Sequence, residues 1–231
     1  MTSSASSAPR PGGEIPDHRG RIGLELTGMG LDRNPDVIVR HVELTSEGWH
    51  VLRRTTFDYR DRRGTWSTQQ RETYDRGNGA VILLYNVAKQ AVLLGRQFRY
   101  PAYVNDHPDG MLIECAAGLL EGDDPESAIR REAEEELGVI VGAVTPVFES
   151  YMSPGSVTER LHFFAAPYEP IDRRHDGGGL EHEGEDIEVL EISIIDAYSM
   201  IRDGGITDGK TIMLLQWALL EGPFADLRHA S

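Results

Sequence analysis

Three glutamates in the sequence are spaced so that their carboxylates can act together. Glu132, Glu135 and Glu136 stand at positions i, i+3 and i+4, so on an α-helix, at about 100° per residue, they share one arc of the surface. Like charges this close repel by about 0.2–0.5 kcal/mol per pair, and burial would increase that cost. A divalent cation relieves the repulsion, and hard oxygen ligands favour Mg²⁺ or Mn²⁺. The alternative is an acidic helix face that remains in solvent.

A helix with clear ends is predicted to carry these acids. Asp124 followed by Pro125 is typical of an N-cap with proline in the first turn. Gly138 predicts the residue that ends the helix. Between these ends, apolar residues recur every fourth position and form a stripe beside the acids: Ile129, Ala133 and Leu137.

The same stretch resembles the Nudix box, G-x5-E-x7-R-E-U-x-E-E-x-G-U, where U is aliphatic. The matching residues are Arg131, Glu132, Glu135, Glu136, Gly138 and Val139. The first half departs from the pattern, because Asp123 occupies the glutamate position, Ala117 occupies the glycine position and Gly118 comes one residue late. The resemblance extends over residues 49–220, and its closest form is the GDP-mannose pyrophosphatase branch of the Nudix hydrolases.

This resemblance implies both a fold and an activity. The fold is α/β, a Nudix α/β/α sandwich with a mixed sheet, preceded by an N-terminal antiparallel β-meander. The activity is hydrolysis of the diphosphate of a nucleoside diphosphate sugar, with GDP-mannose first and Mg²⁺, or Mn²⁺ in its place, as the cofactor. One alternative is an ADP-ribose pyrophosphatase. Another, from a different class, is a non-catalytic Nudix sensor, which would not need an intact acid cluster.

The resemblance also implies a metal site and a catalytic glutamate. The implied metal ligands are Glu132, Glu136, Glu185 and the backbone carbonyl of Ala117. Glu135 supports or shares that site. In the family, a loop glutamate before a strand activates water, and two residues fit this position: Glu185, counted back from a strand predicted at 186–191, and Glu183, counted forward from the glycines.

Substrate-binding residues carry over by the same resemblance: Trp49, Gln70, Arg71, Glu72, Arg99, Gly118, Leu119, Glu159 and Lys210. Arg71 has the planar fork that binds phosphate with two hydrogen bonds. Arg99 ends the segment RQFR. Lys210 lies in the segment DGKT at a predicted helix N-terminus, which favours anions.

The sequence predicts four regions. Residues 1–36 are rich in Ser, Pro, Gly and charge and are expected to form a flexible tail. Residues 37–78 carry three predicted strands, 37–44, 49–59 and 65–74. The resemblance implies that they pair across a homodimer and close the partner's active site, whereas the alternative is a sheet packed within one chain. Residues 79–221 form the hydrolase domain, and residues 222–231 a C-terminal tail.

Composition excludes several classes of protein. The formal net charge of −15 argues against a nucleic-acid partner. The single cysteine, Cys115, excludes an internal disulfide and fits a reducing compartment. No apolar run approaches the roughly 20 residues of a membrane span. We therefore expect a cytoplasmic protein with no membrane partner.

Overall fold

The computed structural model describes residues 15–22, 25–26, 29–180 and 184–229 of the 231-residue chain. The chain divides into two compact units. The first extends to Arg76 and includes Ser153–Glu159, and the second comprises Gly77–Met152 and continues from Arg160. In the described residues no helix has the length and apolarity needed to cross a membrane.

An antiparallel sheet of long strands dominates the first unit. The strands are β1 (Glu25–Leu26), β2 (Met29–Gly30), β3 (Val37–Glu47), β4 (Val51–Arg60) and β5 (Trp66–Asp75), with a 3₁₀ turn at Leu31–Arg33. Strands β1 and β2 form a small hairpin, and the larger sheet has the order β3-β4-β5. This sheet confirms the predicted antiparallel meander.

The two turns of this sheet lie between its predicted strands, but the second strand starts later than predicted. Between β4 and β5, the Asp61 carboxylate accepts hydrogen bonds from the backbone N–H groups of Arg63 at 2.8 Å and Thr65 at 2.9 Å. The predicted start of the second strand at residue 49 is wrong. Pairing between β3 and β4 ends at Glu47 opposite Val51, so Trp49 lies in the connecting turn and is 84% exposed.

Ion pairs attach the N-terminal segment to the sheet. Asp17 is 5% exposed and accepts hydrogen bonds from Arg53 and, at 2.8 Å, from Arg19. Arg19 also donates to Asp75 at 2.7 Å, and Arg53 donates to the same carboxylate at 3.3 Å. A flexible tail was expected over residues 1–36. Residues 1–14 of it lie outside the described residues, whereas Asp17 and Arg19 are bound to the sheet by these ion pairs.

We expect Asp17→Ala to lower the free energy of unfolding by about 3 kcal/mol, because Arg53 would stay buried with one partner fewer. Burial alone would raise the pKa of Asp17, but hydrogen bonds from Arg19, Arg53 and the backbone lower it. The stabilisation is therefore present above the pKa of an unfolded aspartate, about 3.9, and is lost as the pH falls towards the lower folded pKa.

Urea unfolding followed by tryptophan fluorescence, at neutral and at acidic pH, measures both effects. Asp36→Ala is the control, because Asp36 pairs with Arg60 at an exposed position and exposed pairs contribute about 1 kcal/mol or less. Equal losses in the two variants would contradict the interpretation of a buried pair.

A mixed sheet and its helices form the second unit. Its elements are β6 (Gly79–Asn86), β7 (Ala91–Phe98), α1 (Tyr100–Val104), β8 (Met111–Glu114), β9 (Ala116–Leu119), α2 (Pro125–Leu137), β10 (Thr145–Tyr151), β11 (Arg160–Pro167), β12 (Glu188–Ser193), α3 (Ile194–Asp203) and α4 (Gly209–Leu220), with 3₁₀ turns at Pro170–Asp172 and Ala225–His229. The order is β10-β11-β6-β7-β12, with β8 on β7 and β9 on β6. Strand β11 runs parallel to β6, and the other neighbours are antiparallel.

The central strand β6 is buried on both faces. Val81 and Leu83 pack in a core with residues of α3 and α4, whereas Ala80, Ile82 and Leu84 pack in a second core with residues of α2. A strand covered on both sides reads as a continuous apolar run, as this one does. Helices therefore lie on both faces of the sheet, and the predicted α/β/α sandwich is confirmed.

Helix α2 begins and ends where the sequence predicts. The Asp124 carboxylate accepts a hydrogen bond from the Ser127 N–H at 3.1 Å, which satisfies a free donor of the first turn. Gly138 takes a φ of +72° and its N–H donates to the Glu134 carbonyl at 2.9 Å. The stripe of Ile129, Ala133 and Leu137 is fully buried, so the orientation of the acids on this helix is fixed.

Other elements differ from the prediction. Residues 111–117 are an apolar run whose sequence predicts one strand, but they form two strands, because at Cys115 the backbone N–H donates to the Thr211 hydroxyl at 2.7 Å. Strand β12 begins at Glu188 instead of residue 186, and the short helix α1 was not predicted. In the segment expected to form a C-terminal tail, Phe224 is 2% exposed and packs in the core.

Candidate active site

Two of the three spaced glutamates turn towards the sheet. Glu132 is 9% exposed and Glu136 is 4% exposed, although both are acidic. Glu135 is partly buried, and its carboxylate lies 3.4 Å from the Arg131 guanidinium, which also contacts Glu132 at 3.0 Å. The acids therefore border the buried stripe of α2 and do not form a solvated face, which rules out the alternative weighed from sequence.

Glu136 is bound to the strand that faces α2. Its Oε2 accepts a hydrogen bond from the Ala117 backbone N–H at 3.1 Å. In an extended strand the N–H and C=O of one residue lie on the same edge, so the Ala117 carbonyl lies on the edge of β9 that meets Glu136. Burial first, and then the charges of Glu185 and Glu132, raise the pKa of Glu136 to about 8.

The donor chemistry of this cluster fits a divalent cation. The carboxylates of Glu132 and Glu185 both lie within electrostatic reach of Glu136 and repel its charge, and hard oxygen donors suit Mg²⁺ or Mn²⁺. Among the described residues, no three acidic, histidine or cysteine side chains already converge at metal-binding distance. Mg²⁺ sites usually take one or two carboxylates and complete their coordination with water and substrate oxygens.

The glycine-rich loop brings Glu185 to this cluster. Gly178 and Gly179 donate backbone hydrogen bonds to the carbonyls of Glu136 at 3.0 Å and Glu135 at 3.1 Å, at the C-terminal end of α2. The Glu185 carboxylate accepts a hydrogen bond from the Leu180 N–H at 2.9 Å. Glu183 lies outside the described residues, so the choice between the two glutamates stays a prediction.

Gly118 leaves the space that the Glu132 carboxylate occupies. A Cβ at Gly118 would lie 2.2 Å from Cδ and 2.3 Å from Oε1 of Glu132. Contacts this short are not tolerated, so a side chain at this position would displace the carboxylate. The glycine that comes one residue late in the sequence pattern therefore has a steric role here.

We expect Gly118→Ala to lower turnover about fivefold while the fold persists, because the flexible Glu132 side chain can move but its carboxylate loses its place. Steady-state kinetics together with a thermal melt measure both. Gly142→Ala is the matched control, since no heavy atom lies within 4 Å of a Cβ built there. Unchanged turnover in Gly118→Ala would show that the position of the Glu132 carboxylate is not critical.

Four charged side chains form a second cluster on the same unit, defined as the Glu114 cluster: Arg99, Glu114, Asp208 and Lys210. Arg99 forms two hydrogen bonds to Glu114, at 2.8 and 3.1 Å, and Lys210 donates to Glu114 and, at 2.9 Å, to Asp208. Burial would raise the pKa of Glu114, but Lys210 and Arg99 lower it to about 2. Arg99 and Lys210, which were both predicted to bind substrate, therefore contact the same carboxylate.

Sequence reasoning missed Glu114. It lies within the run 111–117, whose other residues predict an apolar strand, and a glutamate in a buried strand requires a charged partner. That requirement was the available signal. The structure supplies two partners, Arg99 and Lys210.

The remaining predicted substrate residues have ordinary local contacts. Strand β5 carries Gln70, Arg71 and Glu72, which alternate between faces. Arg71 donates to its own strand, and Glu72 pairs with Arg54 at 2.8 Å. Glu159 is 8% exposed and lies 3.3 Å from Arg76. In the second unit, Leu119 ends β9, opposite Gly79 of β6.

Comparison with known families assigns the class. A family model described as the NUDIX domain matches residues 75–211, more than half of the chain. Another, described as the GDP-mannose pyrophosphatase NudK N-terminal domain, matches residues 36–74. With a mixed sheet between helical layers and the buried glutamates of α2, the chain belongs to the Nudix hydrolase family, whose members generally use divalent metal ions.

Curated relatives are similar over most of the chain. A protein of Pectobacterium atrosepticum is 55% identical over 183 residues, which cover 79% of this chain and 94% of the relative. A protein of Yersinia enterocolitica is 56% identical over 180 residues, covering 78% and 93%. A protein of Yersinia pestis is 54% identical over 176 residues, covering 76% and 88%. All three are named GDP-mannose pyrophosphatase.

Proposed function

We propose that this Nudix hydrolase cleaves the diphosphate of GDP-mannose and releases GMP and mannose 1-phosphate. The observation that carries the chemistry is the proximity of Arg99 to a buried acid of α2: Arg99 and Glu136 each shift the pKa of the other, so this guanidinium lies within electrostatic reach of Glu136. Hydrolysis of a diphosphate uses both kinds of group: cationic side chains bind its oxygens, and carboxylates bind a metal ion. The names of the relatives supply the sugar nucleotide.

The proposed cofactor is Mg²⁺, with Mn²⁺ able to replace it. The metal would be held by Glu132, Glu136, Glu185 and the Ala117 carbonyl. Two observations support this set: Glu132 and Glu136 are buried, and Ala117 is hydrogen-bonded to Glu136 along one edge of β9. When bound, the metal would neutralise diphosphate charge and polarise the phosphoryl oxygens. Glu135 would support the site through Arg131.

The chain's own side chains would bind and orient the substrate. Arg99 and Lys210 would donate to phosphoryl oxygens. Glu185, or Glu183, would accept a proton from the attacking water. Contacts to the nucleotide and sugar are proposed for Gly118 and Leu119 and, in the first unit, for Trp49, Gln70, Arg71, Glu72 and Glu159.

We also propose a cytoplasmic homodimer in which the first unit completes the active site of the partner. Strand β5 is an edge of the three-stranded sheet, and edge strands offer free backbone groups to another chain. Light scattering on the full chain measures its mass, and removal of residues 1–74 should abolish both dimerisation and activity. A full-length monomer with full activity would contradict the shared site.

Incubation with GDP-mannose and Mg²⁺, followed by product identification, tests the activity. GMP and mannose 1-phosphate are expected. Catalytic inertness towards all nucleoside diphosphate sugars would favour the alternative of a sensor protein.

A further inference from the structure

Glu114 is the buried carboxylate around which the two cationic side chains of the site are arranged. Its Oε1 accepts a hydrogen bond from Arg99 Nε at 2.8 Å, and its Oε2 accepts one from Arg99 Nη2 at 3.1 Å and another from the Lys210 ammonium. Glu114 itself is only 3% exposed. A pair with two parallel hydrogen bonds fixes both the position and the plane of a guanidinium. The orientation of Arg99 therefore depends on Glu114.

Lys210 is held from a second side by the carboxylate of Asp208, the N-cap residue of α4. Asp208 accepts a hydrogen bond from the Lys210 ammonium at 2.9 Å, and it also caps α4 through the Thr211 N–H at 2.9 Å and the Thr211 hydroxyl at 2.7 Å. The Lys210 side chain is 13% exposed. Its ammonium is thus fixed between a strand end and a helix N-terminus.

The Arg99 guanidinium lies in the field of Glu136, a proposed metal ligand, but it pairs with another carboxylate. Burial would lower the pKa of Arg99, whereas Glu114 first, and then Glu136 and Asp208, raise it. In the described residues the ion pair of Arg99 is with Glu114, and Glu136 accepts instead from the Ala117 N–H. Two of the five N–H donors of Arg99 are used by Glu114, which leaves donors for an anionic ligand.

We propose that Glu114 is a positioning residue: it holds Arg99 and Lys210 for the phosphoryl oxygens of a nucleoside diphosphate sugar and keeps Arg99 away from Glu136, a proposed metal ligand. The substrate part of this inference rests on the proposed function. Without Glu114, the partly exposed Arg99 side chain would turn to Glu136, because Glu136 is the next carboxylate that acts on it and opposite charges attract strongly where water is partly excluded. A cation paired with Glu136 would then compete with the metal ion.

The test compares metal affinity and kinetics in Glu114→Gln. Without substrate, the Mn²⁺ dissociation constant, measured by electron paramagnetic resonance, should rise about fivefold, and the KM for GDP-mannose should rise by a similar factor. Glu188→Gln is the matched control, since Glu188 forms an exposed pair with Arg96 on the same sheet at 3.3 Å. An unchanged Mn²⁺ affinity, or an unchanged KM, in Glu114→Gln would overturn the proposal.

A double variant separates positioning from a structural role. Glu114→Gln/Arg99→Gln replaces both members of the pair by neutral side chains, while Lys210 keeps Asp208. Mn²⁺ affinity should return to within about twofold of the wild type, but KM should stay raised. This variant leaves no guanidinium without its carboxylate partner. It can therefore test the proposal even if Glu114→Gln alone fails to fold. A double variant with the wild-type KM, or with Mn²⁺ affinity still reduced, would overturn the proposal.

The two readouts also separate this inference from the proposed function. Mn²⁺ binding needs no substrate, so a wild-type protein that does not cleave GDP-mannose would refute the function, while Glu114→Gln would still decide whether Glu114 protects the metal ligands. Cleavage by the wild type with unchanged Mn²⁺ affinity in Glu114→Gln would instead refute the inference alone.

Discussion

Replacing Glu136 by glutamine is expected to lower turnover by about a hundredfold or more, because the variant loses an anionic ligand in the proposed metal site. The change keeps the shape of the side chain. Its amide oxygen can still accept the hydrogen bond from the Ala117 N–H, which Glu136 accepts at 3.1 Å. The fold should therefore persist, and its stability should hold or increase, because burial and two neighbouring acids disfavour the charge of Glu136.

Steady-state kinetics with Mg²⁺ and a thermal melt check this prediction. Glu134→Gln provides the matched control, since Glu134 lies on the exposed side of the same helix and is not among the proposed metal or substrate ligands. The control should retain turnover within about twofold of the wild type. Near-normal turnover in Glu136→Gln would refute the assignment of Glu136 to the metal site.

Local signals predicted helix α2 because each of them acts within a few residues. The cap at Asp124, the stop at Gly138 and the buried stripe were all visible in one short stretch. Once the stripe faces the sheet, helical spacing alone places Glu132 and Glu136 beside it. The acid cluster could therefore be predicted from sequence in its helical part.

Contacts between distant segments were not predictable in the same way. Glu114 meets Lys210 96 positions further along the chain, and Asp17 meets Arg53 36 positions away. No local pattern encodes such pairs, and the composition of the N-terminal region indicates disorder even though Asp17 is buried. The position of Trp49 was predicted wrongly for another reason. Its aromatic side chain favours a strand, but the pairing of β3 with β4 ends at Glu47, two residues before Trp49.

The choice of base and sugar depends on the side chains that contact them. Neither the fold nor the metal site determines which side chains these are. Guanine presents an N2 amine donor that adenine lacks, so a guanine site needs an acceptor such as a carboxylate or a backbone carbonyl. Glu159 is a buried carboxylate of the first unit and Glu72 a more exposed one, and both are proposed to contact the substrate. A site built to hydrogen-bond a substrate group rejects analogues that lack it far more strongly than an apolar pocket rejects a missing methylene.

We therefore expect GDP-mannose to be cleaved with a kcat/KM at least about tenfold higher than that of ADP-ribose, since the acceptor for the guanine amine would lose that hydrogen bond when adenine is bound. Side-by-side kinetics with Mg²⁺ measure this ratio, and phosphorus NMR in isotope-labelled water identifies the bond that breaks. Attack within the diphosphate gives GMP and mannose 1-phosphate, with the label on one of the two phosphates. Faster hydrolysis of ADP-ribose would assign the protein to the ADP-ribose pyrophosphatases, and release of GDP with free mannose would overturn the mechanism, because water would then have attacked the glycosidic carbon.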